Sequence, residues 1–241
     1  MLMVPQNSRD EVRKVRNRIE SATQAAKRNV DSVTLLAVSK AQPANSIRAV
    51  AEAGVRDIGE SYLQEALGKI EELKDLPLTW HFIGRVQANK TRVIASHFDW
   101  VHGVDRLKIA ERLSEQRPFH ALPLNVCLQV NIGGEDSKGG VNPSELPSLV
   151  AAVGALPRLK LRGLMCIPPD EDDPARQRMG FAAMRRAFEE LNAAGARLDT
   201  LSMGMSGDFE AAILEGATIV RIGTALFGER PHATNTAPPQ P

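Results

Sequence analysis

Short apolar runs alternate along this chain with longer segments in which apolar residues recur every three or four positions. Short runs bounded by turn residues indicate buried β-strands, and the longer spacing is typical of amphipathic helices. The pattern therefore predicts strands and helices in turn. The eight predicted strands are Thr34–Val38, Asp57–Ile58, Thr79–Ile83, Trp100–His102, Leu124–Val130, Lys160–Met165, Thr200–Met203 and Thr218–Ile222.

Amphipathic segments fill the spaces between these strands, and one more precedes the first strand. There, Ser8 and Glu11 have the spacing of a capping box and apolar residues follow at helical intervals, which predicts a helix over residues 8–28. The helices predicted between strands are Ala44–Ala53, Leu63–Leu73, Lys90–Ser96, Arg106–Glu115, Pro143–Ala155, Ala175–Ala194 and Phe209–Glu215.

Strands separated by helices pair in parallel, because a parallel connection needs an intervening crossover. Eight such units in 241 residues predict the α/β class and, within it, a closed (β/α)8 TIM barrel with the first helix as an extra element. We expect residues 1–230 to form one domain and the polar, Pro-rich residues 231–241 to form a disordered tail. The acidic run 170–173 is expected to be a solvated loop.

Charge and composition argue against several classes of function. Lysine and arginine number 30 and aspartate and glutamate 29, so no basic field favours nucleic acid. No apolar run approaches the roughly 20 residues that cross a bilayer, and the first residues lack the pattern of a secretory signal. Cys127 and Cys166 each lie in an apolar run, which indicates buried, reduced thiols. We therefore expect a cytoplasmic protein with no membrane partner.

Lys40 is the first candidate for chemistry, because reactive groups in a parallel barrel lie at the carboxyl ends of the strands. The first predicted strand ends in Ser39-Lys40. Burying an ammonium group is costly unless it is paired, so burial favours the neutral amine, which is the form that attacks an aldehyde. A lysine that extends to solvent at the barrel rim is the alternative, and the spacing leaves both open.

Two segments rich in glycine and hydroxyl groups follow the last two strands, SMGMSGD at 202–208 and RIGTALFG at 221–228. Glycine lets backbone N–H groups approach an anion, and barrels often bind phosphate after these strands, although ordinary turns favour the same residues. Arg221 is expected to contact a phosphate or a ring nitrogen, or else to pair with an acid. His81 and His102 are expected to be hydrogen-bonded core imidazoles, since their spacing does not indicate a metal site.

Seven segments occur in order along nearly the whole chain: AVSKAQP, IGESYLQEALGKI, WHFIGRVQANK, VDRLKIAERL, LQVNIGGEDSKGG, LRGLMCIPP and LSMGMSGDFEAAILEGATIVRIGTALFG. Together they resemble the YggS/PROSC family, the pyridoxal 5′-phosphate (PLP) homeostasis proteins. The resemblance covers about residues 8–230. It implies a barrel similar to the N-terminal domain of alanine racemase, without the additional β-domain of that enzyme.

The resemblance also implies a role for particular residues. Lys40 would hold PLP covalently as a Schiff base, Arg221 would face the pyridine nitrogen, and Ser206, Gly223 and Thr224 would hold the phosphate. Further residues at the ring would be Asn131, Met165, Met203, His81 and Ile83.

Two positions depart from the family pattern. Ser61 stands where the family usually has asparagine. A serine can still donate a hydrogen bond to the cofactor, but it reaches less far. Arg85 stands where the family usually has proline. We hypothesise that its charge changes access to the site or the choice of partner, and leaves the linkage to PLP intact.

The implied site favours holding PLP over turning over a substrate. An arginine opposite the pyridine nitrogen can only donate a hydrogen bond, so the ring is a weak electron sink. Racemisation also needs a second base. In alanine racemase this base is a tyrosine from the additional domain, which we expect to be missing here. The only tyrosine is Tyr62, on the helix after the second strand.

We therefore expect a PLP-binding protein of vitamin B6 homeostasis, not an enzyme, that buffers PLP or delivers it. Its expected partners are PLP itself and either PLP-dependent apoenzymes or enzymes of B6 salvage, and we expect a monomer. Two alternatives are a PLP-dependent enzyme such as a weak amino-acid racemase, and a barrel aldolase that uses Lys40 directly on a sugar phosphate.

Overall fold

The fold is an eight-stranded parallel barrel, seen in a computed structural model that describes residues 6–134, 139–168 and 173–228. Within these residues each strand pairs with the next, and β8 pairs with β1 to close the barrel. The strands are β1 Thr34–Val38, β2 Asp57–Glu60, β3 Thr79–Phe82, β4 Trp100–Val104, β5 Leu124–Val130, β6 Leu159–Cys166, β7 Thr200–Ser202 and β8 Ile219–Ile222.

Helices connect successive strands around the outside of the barrel. The helices of the described residues are α1 Gln6–Ala25, α2 Ala44–Glu52, α3 Leu63–Glu72, α4 Thr91–His97, α5 Leu107–Gln116, α6 Leu146–Gly154, α7 Pro174–Ala193, α8 Phe209–Leu214 and α9 Thr224–Phe227.

The predicted closed barrel and the extra N-terminal helix are confirmed, with small shifts at the ends of elements. Helix α1 ends at Ala25, before the predicted residue 28, and Lys27 then adopts a positive φ of 55°. The segment predicted as one helix from Pro143 begins as a 3₁₀ turn, and α6 starts only at Leu146. Pro147 fits this start, because its missing N–H costs nothing in the first helical turn.

Helix α1 covers one side of the barrel, where it packs against α2, α8 and α9. Its apolar stripe of Val12, Val15, Ile19 and Ala22 is buried, as the helical spacing predicts. Arg18 at the edge of this stripe lies over the Phe209 ring, 4.5 Å from its centroid. The extra helix is therefore an integral part of the core.

Some predictions fall at or beyond the limits of the described residues. The predicted tail at 231–241 and residues 170–172 of the acidic run lie outside them. Asp173, the last residue of that run, is described: it caps α7 by accepting a hydrogen bond from the Ala175 N–H. In the part of the chain that is described, every helix is too short or too polar to span a membrane.

Candidate functional site

The predicted site residues gather at the carboxyl end of the barrel. Lys40 follows β1 after one residue, Ser61 and Ile83 directly follow β2 and β3, and Asn131 directly follows β5. All four are half-buried. His81 lies within β3 and is buried. The other six residues lie in or after β6, β7 and β8, with two methionines and Arg221 buried and the turn residues more exposed: Met165, Met203, Ser206, Arg221, Gly223 and Thr224.

The backbone on both sides of Lys40 is held by one helix. Lys69 of α3 donates from Nζ to the carbonyl oxygen of Ser39 at 2.7 Å. On the other side, the N–H of Ala41 donates to Oε1 of Glu65 at 2.7 Å, and Ala41 adopts a positive φ of 61°. Because the backbone of the residues before and after Lys40 is fixed on both sides, the Cα of Lys40 is fixed as well.

A buried cluster of charges between the barrel and α3 provides these contacts. Lys69 Nζ lies 2.6 Å from Oε1 of Glu60 and 2.5 Å from Oε1 of Glu65, and the Ser39 hydroxyl donates to Oε1 of Glu60 at 2.5 Å. Glu60 is fully buried, and its burial raises the pKa of its carboxyl group although Lys69 and Ser39 oppose the shift. Its other oxygen, Oε2, makes no hydrogen bond within the described residues.

Sequence reasoning missed this cluster. The only signal was the i, i+4 spacing of Glu65 and Lys69 on α3, which is also common on exposed helix surfaces. The buried partner, Glu60, comes from another element and cannot be identified from spacing. We conclude that Lys69 and Glu65, with the buried Glu60 as their partner in the cluster, hold the backbone on both sides of Lys40.

Arg221 is held as a rigid hydrogen-bond donor inside the barrel. Its Nη1 donates to the carbonyl oxygen of Ser202 at 2.6 Å and to the Ser202 hydroxyl at 3.1 Å, and its Nη2 donates to the carbonyl oxygen of Cys166 at 2.8 Å. The side chain makes no ion pair within the described residues, so the structural ion pair considered above is not present there. Nε–H and one Nη2 hydrogen keep no partner in that part of the chain.

Both core histidines are hydrogen-bonded at both ring nitrogens, as predicted. His81 contacts Asp57 and His102, and His102 contacts His81 and the Ser202 hydroxyl, at 2.8–3.0 Å. Burial lowers the pKa of His81 and lowers that of His102 well below its ordinary value, with nearby His81 and Arg221 adding to the shift at His102. Burial therefore favours the neutral form of both rings.

The turns after β7 and β8 meet beside the end of β1. The N–H of Ala225 donates to the Ser206 hydroxyl at 3.4 Å, which brings Ser206 next to Gly223 and Thr224. A Cβ added to Gly223 would lie 3.3 Å from the carbonyl oxygen of Val38, so this backbone runs close to the end of β1, two residues before Lys40. The structure thus brings the predicted phosphate residues together, while Met203 after β7 belongs to the hydrophobic core.

The ends of β2 and β3 also approach closely at the two positions that depart from the family pattern. A Cβ added to Gly84 would lie only 2.3 Å from the carbonyl oxygen of Ser61, so these two backbones touch. Arg85, which follows Gly84, is exposed. The contact places Arg85 near the rim of the site, where its effect stays a hypothesis.

Both cysteines are free and fully buried, in β5 and β6, as the sequence predicted. Burial raises the pKa of the Cys127 thiol and of the Cys166 thiol to about 12. Neither thiol is therefore a nucleophile at neutral pH.

Comparison with known proteins first gives the class. The family described as alanine racemase, N-terminal domain, matches residues 13–231, so the chain belongs to that family. Alanine racemase of Clostridium difficile shares the fold, with a TM-score of 0.72 and 16% identity, over 94% of this chain and 58% of that one.

Within this class, the relatives identify a narrower family. A pyridoxal phosphate homeostasis protein of Pseudomonas aeruginosa is 61% identical over 221 residues, which cover 92% of this chain and 95% of that protein. Its counterpart in Escherichia coli is 50% identical over 222 residues, covering 91% and 95%. The chain belongs to the pyridoxal phosphate homeostasis proteins, the YggS/PROSC family, as the sequence motifs predicted.

A solved structure of this family has been determined with the cofactor. PipY of Synechococcus elongatus with PLP bound is 40% identical to this chain, with a TM-score of 0.78 over 87% of this chain and 100% of that one. PipY without PLP gives 38% identity and a TM-score of 0.83, over 92% and 100%. The fold described above is thus shared with a protein whose structure is known both with and without PLP.

Proposed function

We propose that this chain binds PLP at the carboxyl end of the barrel, linked covalently to Lys40, and holds it for buffering or delivery. The observation that carries the proposal is the pairing of β1 with β8, in which Leu36 lies opposite Arg221 and Ala37 opposite Ile222. This register brings the segment that ends in Lys40 beside Arg221 and the turn of Gly223. PipY, bound to PLP, supports the same ligand for this chain.

The residues present fit the chemistry of the cofactor. Bound PLP supplies an aldehyde and an electron-withdrawing ring. The neutral amine of Lys40 would join that aldehyde with loss of one water molecule. Arg221 keeps donor hydrogens for a ring nitrogen, and Ser206, Gly223 and Thr224 would hold the phosphate through hydroxyl and backbone N–H groups. We propose that Ser61, Asn131, Met165 and Met203 line the ring, with His81 and Ile83 nearby. His81, Met165 and Met203 would do so from buried positions in the barrel.

The same geometry favours a carrier over an enzyme. Three donor contacts fix Arg221, and a guanidinium never gives up its proton at physiological pH, so it would keep a ring nitrogen unprotonated. Tyr62, the only tyrosine, is 57% exposed, where it is poorly placed as a second base. The relatives are named for homeostasis, and we propose that PLP-dependent apoenzymes or B6 salvage enzymes exchange PLP with this chain.

A spectrum of the purified protein tests the covalent linkage. We expect a visible absorbance band in the wild type after addition of PLP, and its loss in Lys40→Ala. Lys108→Ala is the control, because Lys108 is exposed on α5 outside the barrel. A band that survives Lys40→Ala would reject Lys40 as the attachment point, and absence of any band in the wild type would favour the aldolase alternative.

Exchange at the α-carbon of amino acids separates the carrier from the enzyme. We expect no incorporation of solvent deuterium into any amino acid incubated with the PLP-loaded protein, because the ring is a weak electron sink. Rapid exchange with one amino acid, lost in Lys40→Ala, would establish the racemase alternative instead.

A further inference from the structure

Five side chains form a continuous hydrogen-bonded chain across the inside of the barrel. Asp57 Oδ1 lies 3.0 Å from Nε2 of His81, and Nδ1 of His81 lies 3.0 Å from Nε2 of His102. Nδ1 of His102 lies 2.8 Å from the Ser202 hydroxyl, which accepts from Nη1 of Arg221 at 3.1 Å. The chain therefore joins β2, β3, β4, β7 and β8, and it ends on the residue expected to face the cofactor ring.

The direction of the hydrogens in this hydrogen-bonded chain follows from the Asp57 end. A carboxylate only accepts, so His81 carries its hydrogen on Nε2 and must accept at Nδ1. His102 then donates from Nε2 and accepts at Nδ1, which leaves the Ser202 hydroxyl as the donor to His102. At the other end, Arg221 only donates, and the Ser202 hydroxyl that accepts from it still has its own hydrogen to donate to His102. The Arg221 end is therefore compatible with the direction that the Asp57 end sets.

The environment of the chain preserves this arrangement. His81 and His102 are 1% and 0% exposed, and Ser202 is fully buried, so water does not compete for their hydrogen bonds. The His81 ring stacks on Trp100 with centroids 5.3 Å apart and an interplanar angle of 9°. Neutral rings each have one donor and one acceptor, and both are used here.

The two ends of this hydrogen-bonded chain, Asp57 and Arg221, lie at opposite faces of the barrel. Asp57 is the first residue of β2, and its side chain is 29% exposed. It lines a hollow of about 460 Å³ at the amino-terminal face together with Arg16, Asp31 and Arg56. Arg221 lies at the cofactor face. A change in charge at Asp57 is thus connected to Arg221 through four successive hydrogen bonds.

We propose that Asp57, His81 and His102 are positioning residues that act through Ser202 to hold Arg221 as a fixed donor toward the bound cofactor. The Asp57 carboxylate sets the direction of the chain, and hydrogen bonds in a buried chain strengthen one another. The amino-terminal face of the barrel is thereby coupled to the PLP site. This inference rests on the proposed function.

The first test needs no cofactor. Two-dimensional NMR of the imidazole nitrogens in the PLP-free protein reports which nitrogen of each neutral ring carries the hydrogen. We expect Nε2–H for both His81 and His102 at neutral pH, with His97 and His120 as reference rings. An Nδ1–H form or a protonated ring at either position would overturn the inferred direction of the hydrogen bonds, and with it the proposal.

The second test measures the effect on the cofactor. Asp57→Asn offers both a donor and an acceptor to His81, so the direction is no longer fixed. We expect the pH midpoint of the visible band to move by about half a unit, the order expected for one altered hydrogen bond. Asp31→Asn is the matched control, because it removes the same charge from the same hollow outside the chain.

The outcomes of the second test are distinct. No PLP band in the wild type rejects the proposed function itself. A wild-type band with the same midpoint in Asp57→Asn and Asp31→Asn rejects the positioning role alone. Ser202→Ala, which breaks the chain next to Arg221, is the second variant if Asp57→Asn does not fold. An unchanged midpoint in Ser202→Ala would also contradict the coupling.

Discussion

Replacing Lys69 by methionine tests the buried charge cluster behind Lys40. Methionine has a similar length and favours helix, so the change mainly removes the charge that Glu60 and Glu65 face. Glu60 is fully buried, and without Lys69 its carboxylate keeps only the hydroxyl of Ser39. Breaking a buried ion pair in this way costs about 3–5 kcal/mol of unfolding free energy. That is a large part of the roughly 5–15 kcal/mol of a whole domain.

The loss of unfolding free energy in Lys69→Met should depend on pH, and the direction of this dependence follows from the pKa of Glu60. Burial already raises the pKa of the Glu60 carboxyl group above its ordinary value, and losing Lys69 raises it further. A carboxyl group whose pKa is raised in the folded state stabilises the fold below its unfolded pKa, and that contribution is lost as the pH rises through the folded pKa. The deficit of Lys69→Met should therefore be smallest near pH 4.5 and grow toward neutral pH.

Urea unfolding followed by circular dichroism between pH 4.5 and 8 measures this deficit. Lys74→Met is the control, because Lys74 and its partner Glu71 are both more than 70% exposed and their pair should contribute little. A deficit in Lys69→Met that is the same at every pH, or no larger than that of Lys74→Met, would refute the reasoning.

Two further predictions concern reactivity and packing. Since their pKa is about 12, Cys127 and Cys166 should resist a thiol reagent at pH 8 until the protein is unfolded, and rapid native labelling would contradict this. Gly163→Ala should lower the free energy of unfolding, measured with urea, by more than about 3 kcal/mol, because its Cβ would lie 1.8 Å from the Thr200 carbonyl oxygen. A Cβ added at Gly154 meets no atom within 4 Å, so Gly154→Ala should leave the free energy of unfolding unchanged or raise it by up to about 1 kcal/mol. Equal losses in both glycine variants would refute the packing argument.

The apolar pattern predicted the barrel well because its parallel strands are buried on both faces. The weakest patterns were those of β2 and β4, which the sequence made only two and three residues long. The structure shows why: Asp57 and Glu60 in β2 and His102 in β4 are polar residues of central strands. Glu60 and His102 are buried, Asp57 is half-buried, and all three lie in hydrogen-bonded networks, so hydrophobicity alone does not reveal these strands.

The candidate site was predictable where topology alone brings residues together. Lys40, Arg221 and the turn of Gly223 follow from the carboxyl ends of β1 and β8, which are neighbours in any closed barrel of this order. The groups behind them were not predictable. Lys69 meets Glu60 across two elements, and the link from His102 to Ser202 spans 100 positions of the chain. Such pairings depend on packing distances that no sequence spacing encodes.

The central claim, one covalent PLP on Lys40, is tested most directly by borohydride reduction of the PLP-loaded protein and mass mapping of its tryptic peptides. Reduction fixes the cofactor on the lysine that holds it and blocks cleavage there. We predict the label in a peptide of residues 29–48, cut after Arg28 and Arg48 and uncut at Lys40. Label confined to any other lysine, or no label with stoichiometric PLP present, would contradict the account.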